Sequence, residues 1–192
     1  MILIIWGDSS KPIFIFFLSI SFFTDGSFLE YAIFPIWQNI NFNFAPLGVP
    51  IPQDNYYYTR HEINFNTDQS AKLSVFGSVN WGSFYNGKRT TLEGGIRFAP
   101  IPHTTFTLDY EYNDLNSLGE IEEDEETHLT TIGSRFALNP RLQLSAFYQY
   151  NTFDEQGRWN IRASWEYQPL SFVYLVFNDT QIDGLKTPFQ ET

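Results

Sequence analysis

Cysteine is absent from this chain of 192 residues. That removes disulfides, thiolate catalysis and Cys-ligated zinc. Positive charge is scarce: 11 Lys and Arg stand against 22 Asp and Glu, for a net charge of −11. No basic stripe is available to neutralise phosphates, so nucleic acid is not an expected partner. Beyond the N-terminus no stretch holds the roughly 18 apolar residues of a membrane-crossing helix. The three histidines, His61, His103 and His128, lack His-x-His or H-E-x-x-H spacing, so no metal is expected. Glu93-Gly94-Gly95 lacks the GK[ST] element of a phosphate loop, and the glycines read as kinks within a strand. No Ser, His and Asp form a recognisable arrangement. The expectation is a chain that is not an enzyme and takes no cofactor.

What the chain has in abundance is aromatic side chains, 19% of the total, with 20 Phe and 11 Tyr. These residues suit strands and argue against disorder. They also fall into a period of two. In QLSAFYQYN, Leu144, Ala146, Tyr148 and Tyr150 alternate with Gln143, Ser145, Gln149 and Asn151. In WNIRASWEYQ, Trp159, Ile161, Ala163, Trp165 and Tyr167 alternate with Asn160, Arg162, Ser164, Glu166 and Gln168. Successive side chains of a strand point to opposite faces, so each segment carries one apolar face and one polar face. Long strands of this kind with aromatics near their ends are the pattern of a transmembrane β-barrel.

The pattern predicts about nine strands, near 29–44, 56–66, 71–82, 88–98, 104–114, 127–138, 142–153, 159–168 and 172–180. Most reach the roughly 9–11 residues a spanning strand needs, against about 5–6 for an average strand. Connections 45–55, 83–87, 115–126 and 154–158 are longer or more polar than those that alternate with them. That asymmetry fits loops on one side of a membrane and turns on the other. Asn86-Gly87 is a hairpin signal.

Residues 1–25 form a separate apolar segment. IFIFFLSISFF, ending at Phe23, has the length of a signal-peptide core, but no basic leader and no small-x-small site flank it. A signal and an additional strand remain open alternatives. Residues 26–192 form the barrel portion.

Several stretches carry a family resemblance: GVPIPQDNYYY at 48–58, WGSFYNGKR at 81–89, FYQYNTFDEQGRWNIRASWEYQP at 147–169 and FVYLVFND at 172–179. Together they resemble the C-terminal β-barrel region of a Gram-negative outer-membrane family of unknown function. Its longer members carry an N-terminal carbohydrate-binding family-nine-like domain. The resemblance covers about Glu30 to Asp179. It implies an outer-membrane location, and partners among the remaining barrel strands or that N-terminal domain of a longer parent chain. It also links the chain to surface glycan or nutrient handling. The tail GLKTPFQET lacks a final alternating strand, so the expectation is an incomplete barrel, a portion of a larger one.

Two residue sets are candidates for function. The polar parity places Arg89, Glu93, Arg97, Asp109, Glu111, Arg135, Arg162 and Glu166 toward a lumen. Their signs are balanced, which suits cross-strand charge pairing better than acid/base work. The apolar parity places Trp81, Tyr110, Tyr112, Tyr148, Tyr150, Trp165 and Tyr167 near strand ends, as interface girdles in contact with outer-membrane lipid. The acidic run Glu120–Glu126 lacks Ca²⁺-loop spacing and reads as a solvated loop. The expected fold is thus all-β, an antiparallel meander of about 9–10 strands forming part of an outer-membrane barrel. The expected role is membrane anchor, pore or scaffold. The alternative is a soluble β-sandwich that binds carbohydrate.

Overall fold

A computed structural model of the chain describes residues 2–6, 14–119 and 122–182. Among them are eleven strands: β1 (Ile2–Trp6), β2 (Phe14–Phe22), β3 (Phe28–Asn39), β4 (Asn55–Asn66), β5 (Leu73–Phe84), β6 (Gly87–Phe98), β7 (Thr104–Leu118), β8 (Glu123–Asn139), β9 (Leu142–Asn151), β10 (Gln156–Gln168) and β11 (Ser171–Ile182). They form one sheet in sequence order. Consecutive strands pair antiparallel, as in Phe34 opposite Arg60, Arg135 opposite Ser145, and Arg162 opposite both Ser145 and Val176. Among the described residues the order begins at β1 and ends at β11. The architecture is an all-β antiparallel meander.

Each expected strand is present, with shifted ends. The apolar run of the N-terminal segment forms β2, and Phe17 and Phe22 sit opposite Ile33 and Phe28 of β3. The strand expected over 29–44 stops at Asn39. Beyond it the Ile40 N–H donates to the Asp54 carbonyl at 2.9 Å, and the Ile51 N–H to that of Phe44 at 2.9 Å. A 3₁₀ turn over Pro46–Gly48 reverses the chain between them.

The expected polar loop over 115–126 is corrected more strongly. β7 runs to Leu118 and β8 starts at Glu123, so much of the acidic run is strand rather than solvated loop; residues 120 and 121 lie outside the described ones. Leu115 and Leu118 are fully buried, and this burial carries β7 past its polar stretch. The Asp124 carboxylate accepts from the Ser117 N–H at 2.8 Å. The tail at 184–192 also lies outside the described residues.

The hairpin at Asn86-Gly87 is displaced by one position. The two connecting residues are Tyr85 and Asn86, and Tyr85 takes the positive φ of 52°. Gly87 serves another purpose. A Cβ there would lie 2.6 Å from the Asn116 carbonyl oxygen and 2.8 Å from that of Ser117, so this glycine permits close approach of two backbones.

The chain divides into two compact units. Unit 1 comprises Met1–Gln69, Ser74–Gly94 and Glu111–Thr127; unit 2 comprises Ser70–Leu73, Gly95–Tyr110 and His128–Thr192. The buried apolar cluster belongs to unit 1: Ile40, Val49, Ile51, Tyr56, Tyr58, Leu115 and Leu118. The segment between β3 and β4 supplies its first three members. Proline carbonyls help hold it down, since the Tyr56 hydroxyl donates to that of Pro52 at 2.7 Å.

Candidate functional site

Away from the apolar cluster, several strands of unit 1 bury polar side chains and expose apolar ones. On β4, Arg60 is buried, while Ile63 and Phe65 are exposed. On β6, Thr91 is buried and Leu92 exposed. Ser74 on β5 and Asn113 on β7 are buried as well. In a water-soluble sheet the apolar face is the one withdrawn from solvent, so this is an inversion.

The buried faces line a cavity of about 330 Å³ whose walls include Arg60, Glu62, Asn80, Phe84, Arg89 and Glu93. Two relays organise it. The Arg60 guanidinium donates to Asn80 Oδ1, and Asn80 Nδ2 donates to Glu62 at 2.9 Å. Arg89 Nη2 donates to Asn113 Oδ1 at 2.8 Å, and Asn113 Nδ2 donates to Glu111 at 2.6 Å. In each, an amide lies between cation and carboxylate, with its oxygen toward the one and its nitrogen toward the other. The amide orientation follows, because only the oxygen can accept. Asn64 Nδ2 gives Glu62 a further donor at 2.5 Å, and Thr91 Oγ1 donates to Asn113 Oδ1 at 2.8 Å.

The cross-strand ion pairing expected of these charges does not occur at this cavity. Among the described residues no carboxylate oxygen lies within 4.0 Å of Arg60 or Arg89. An ion pair does form between Arg158 and Asp154, four residues apart at the β9–β10 connection. The reason is register. Asn80 is the residue opposite Glu62, so the nearest partner Glu62 meets is an amide.

Both guanidiniums also face one ring. The Arg60 and Arg89 Cζ atoms lie 5.9 and 5.4 Å from the centroid of Phe84. Tyr58 and Tyr85 pack on that ring at 6.2 and 4.7 Å. Their hydroxyls donate to Gln38 Oε1 at 3.4 and 3.1 Å. Burial holds the Tyr85 hydroxyl above its ordinary pKa, in the turn outside the strands. It stays a donor at neutral pH.

Unit 2 has a second cavity of about 320 Å³, lined by Arg135, Gln143, Ser145, Arg162, Ser164 and Tyr174. Arg135 Nη2 donates to Gln143 Oε1 at 3.0 Å, and the Arg162 Cζ lies 4.8 Å from the Tyr174 ring centroid. Both arginines are exposed.

The predicted polar set is therefore dispersed. Arg89, Glu93 and Glu111 belong to the first constellation, and Arg135 and Arg162 to the second. Arg97 donates to the Ala71 carbonyl at 3.5 Å, and Asp109 is half-buried on β7. Glu166 accepts from the Leu170 N–H at 2.9 Å and closes the β10–β11 turn. Sequence reasoning missed Arg60, Glu62, Asn80 and Asn113. The alternation Tyr56, Tyr58, Arg60, Glu62, Asn64 on β4 carries the signal for the first two.

The aromatic set forms local contacts. Trp81 stacks on His61 at 5.4 Å, and the Tyr31 hydroxyl bonds His61 Nδ1 at 2.9 Å. Tyr110 and His128 form a similar pair, 2.7 Å between hydroxyl and Nδ1. Tyr148 packs on Trp159 at 4.6 Å, and Trp165 on Tyr167 at 6.1 Å. Tyr112 and Tyr150 are half-buried. Among the described residues no group of three or more His, Cys, Asp or Glu side chains is placed to hold a metal ion. Compared with protein-family models, curated proteins and solved structures, the chain matches none.

Proposed function

We propose that this chain is a segment of an outer-membrane β-barrel of a Gram-negative bacterium, acting as a membrane anchor, pore or scaffold. The inverted faces carry the reading. Phe98, Phe106, Leu108, Ile132, Leu144 and Trp165 are exposed on strands whose opposite parity holds Arg, Asn, Gln and Glu. In water these apolar faces would cost roughly 25 cal/mol for each Å² left uncovered. Hydrocarbon would remove that cost. A soluble sandwich would have to cover them with a second sheet, and the described strands all lie in one.

Strand length supports the same reading, since β3 to β11 each have at least the 10 residues of β9. The outer edges of β1 and β11 need partners in a bilayer, because bare N–H and C=O groups there cost several kcal/mol each. Those partners are either each other or strands of a longer parent. A role in glycan or nutrient handling rests on the quoted motifs alone.

The test uses adjacent positions on β10. Ala163 shares a face with Ile161 and Trp165, and Ser164 with Arg162. Ala163→Arg is expected to weaken folding into lipid by roughly 2–4 kcal/mol near the bilayer centre, and Ser164→Arg to be tolerated. Folding yield in vesicles, followed by protease resistance, checks this. Equal tolerance at both positions would sink the reading, as would full solubility without detergent.

A further inference from the structure

The unit 1 cavity has a feature that a merely hydrated interior does not require. Its two guanidiniums are held close to one ring, and an asparagine stands between each and a carboxylate, Asn80 before Glu62 and Asn113 before Glu111. Arg60 is buried, and its Nη1 donates to the main-chain carbonyl of Arg89 at 2.7 Å. Two like charges are thus brought together and fixed. Their repulsion is offset by the carboxylates of Glu62 and Glu93 in the same cavity, with which neither guanidinium pairs directly. Donor capacity is also left over. Arg60 Nε and Arg89 Nη1 make no hydrogen bond to another described residue.

We infer that this cavity is a binding site for a small oxyanion, a carboxylate or a phosphate, held between Arg60 and Arg89 with any apolar body against Phe84. The guanidinium fork matches both anions, because each presents paired oxygens to parallel N–H donors. The wall also limits the ligand. Glu62 and Glu93 line the same cavity, so repulsion grows with each negative charge on the ligand and favours a singly charged anion over a polyanion. Phe34, Ile36 and Phe84 supply apolar wall, which favours a carboxylate on a ring or short chain over a bare ion. The volume of about 330 Å³ lies at the small end for ligand pockets. The inference goes beyond membrane residence and rests on this cavity alone, so failure of the chain to insert into lipid would leave it standing.

The experiment titrates the full chain, folded in detergent at low salt, with inorganic phosphate and separately with benzoate. Saturable binding of at least one is expected. Phosphate alone would identify a tetrahedral anion; benzoate with stronger affinity would identify a carboxylate with an apolar body. Arg89→Gln should weaken binding at least tenfold, and Arg162→Gln in the other cavity should leave it unchanged. A second readout needs no variant. Phenylglyoxal modification of Arg60 and Arg89, followed by mass spectrometry, should slow when the anion is present, while that of Arg162 should not. The inference is overturned if neither anion binds saturably, if Arg89→Gln binds as wild type does, or if the anion gives no selective protection.

Discussion

The two cavities make an instructive pair. Each presents two arginines from the polar parity of its strands, Arg60 with Arg89 and Arg135 with Arg162. In the first, Arg60 is 6% exposed and is fixed by two main-chain carbonyls and an amide. In the second, Arg135 is exposed and donates to a single side chain, Gln143. The same residue type on the same parity is thus a fixed positive site in one unit and a solvated side chain in the other. The supporting residues make the difference, not the arginines.

Backbone contacts should separate the units most. Gly82 has φ of +138°, and a Cβ there would lie 2.3 Å from the Thr59 carbonyl oxygen. Gly82→Ala is expected to destabilise the chain by roughly 4 kcal/mol, through strain that no side-chain rotation relieves. At Gly157 the obstacle is the end of a side chain, the Tyr148 hydroxyl at 2.7 Å. Gly157→Ala should therefore cost about 1 kcal/mol or less. Urea unfolding in lipid vesicles checks both, and equal losses would show that the Tyr148 ring is as immovable as backbone.

The arginines themselves come next. Arg60→Met leaves the Arg89 carbonyl and Asn80 Oδ1 without their donor. A loss of about 3 kcal/mol is expected. Arg135→Met should cost no more than about 0.5 kcal/mol, as at other exposed positions. Comparable losses in the same unfolding assay would erase the distinction between the cavities.

The smallest contrast concerns the amides. Asn113 is 7% exposed and serves Arg89, Thr91 and Glu111 at once. Asn113→Leu should destabilise by about 2 kcal/mol, because the buried Thr91 and the half-buried Arg89 and Glu111 lose their bonds together. Gln143 serves Arg135 alone, from one side of a solvated wall. Gln143→Leu should fall near about 0.5 kcal/mol. A double substitution of Asn113 and Arg89 should cost less than the sum of the single changes, which is the signature of a shared network.

Alternation made the middle of the sheet legible. In β9 and β10 the side chains at Leu144, Ala146, Tyr148 and at Ile161, Ala163, Trp165 fall on one face, and the register pairs Ala146 with Ile161 and Leu144 with Ala163. Period two leaves no freedom in that assignment once the segment is a strand. The ends were less legible, because what ends a strand is tertiary contact. Leu115 and Leu118 extend β7 into a stretch whose local composition reads as loop, since they enter a cluster with Val49 and Ile51 from a distant segment. Turn chemistry misled at Asn86-Gly87 for a related reason. Gly87 is there for its closeness to Asn116 and Ser117, not for its φ.

The sequence by itself determined the class of the fold, the order of its nine principal strands and which parity of each is polar. Those are local properties, set by side-chain alternation and by where polar runs interrupt it. Only the tertiary structure decided which polar residues meet. Parity places Arg60, Glu62, Asn80, Arg89 and Asn113 on the polar faces, but tertiary structure decides that each arginine bonds an amide rather than an acid; register sets Asn80 opposite Glu62. Register depends on how whole strands slide against one another. It is fixed by turn geometry and by the close backbone approaches at Gly82 and Gly87, neither of which any single strand records.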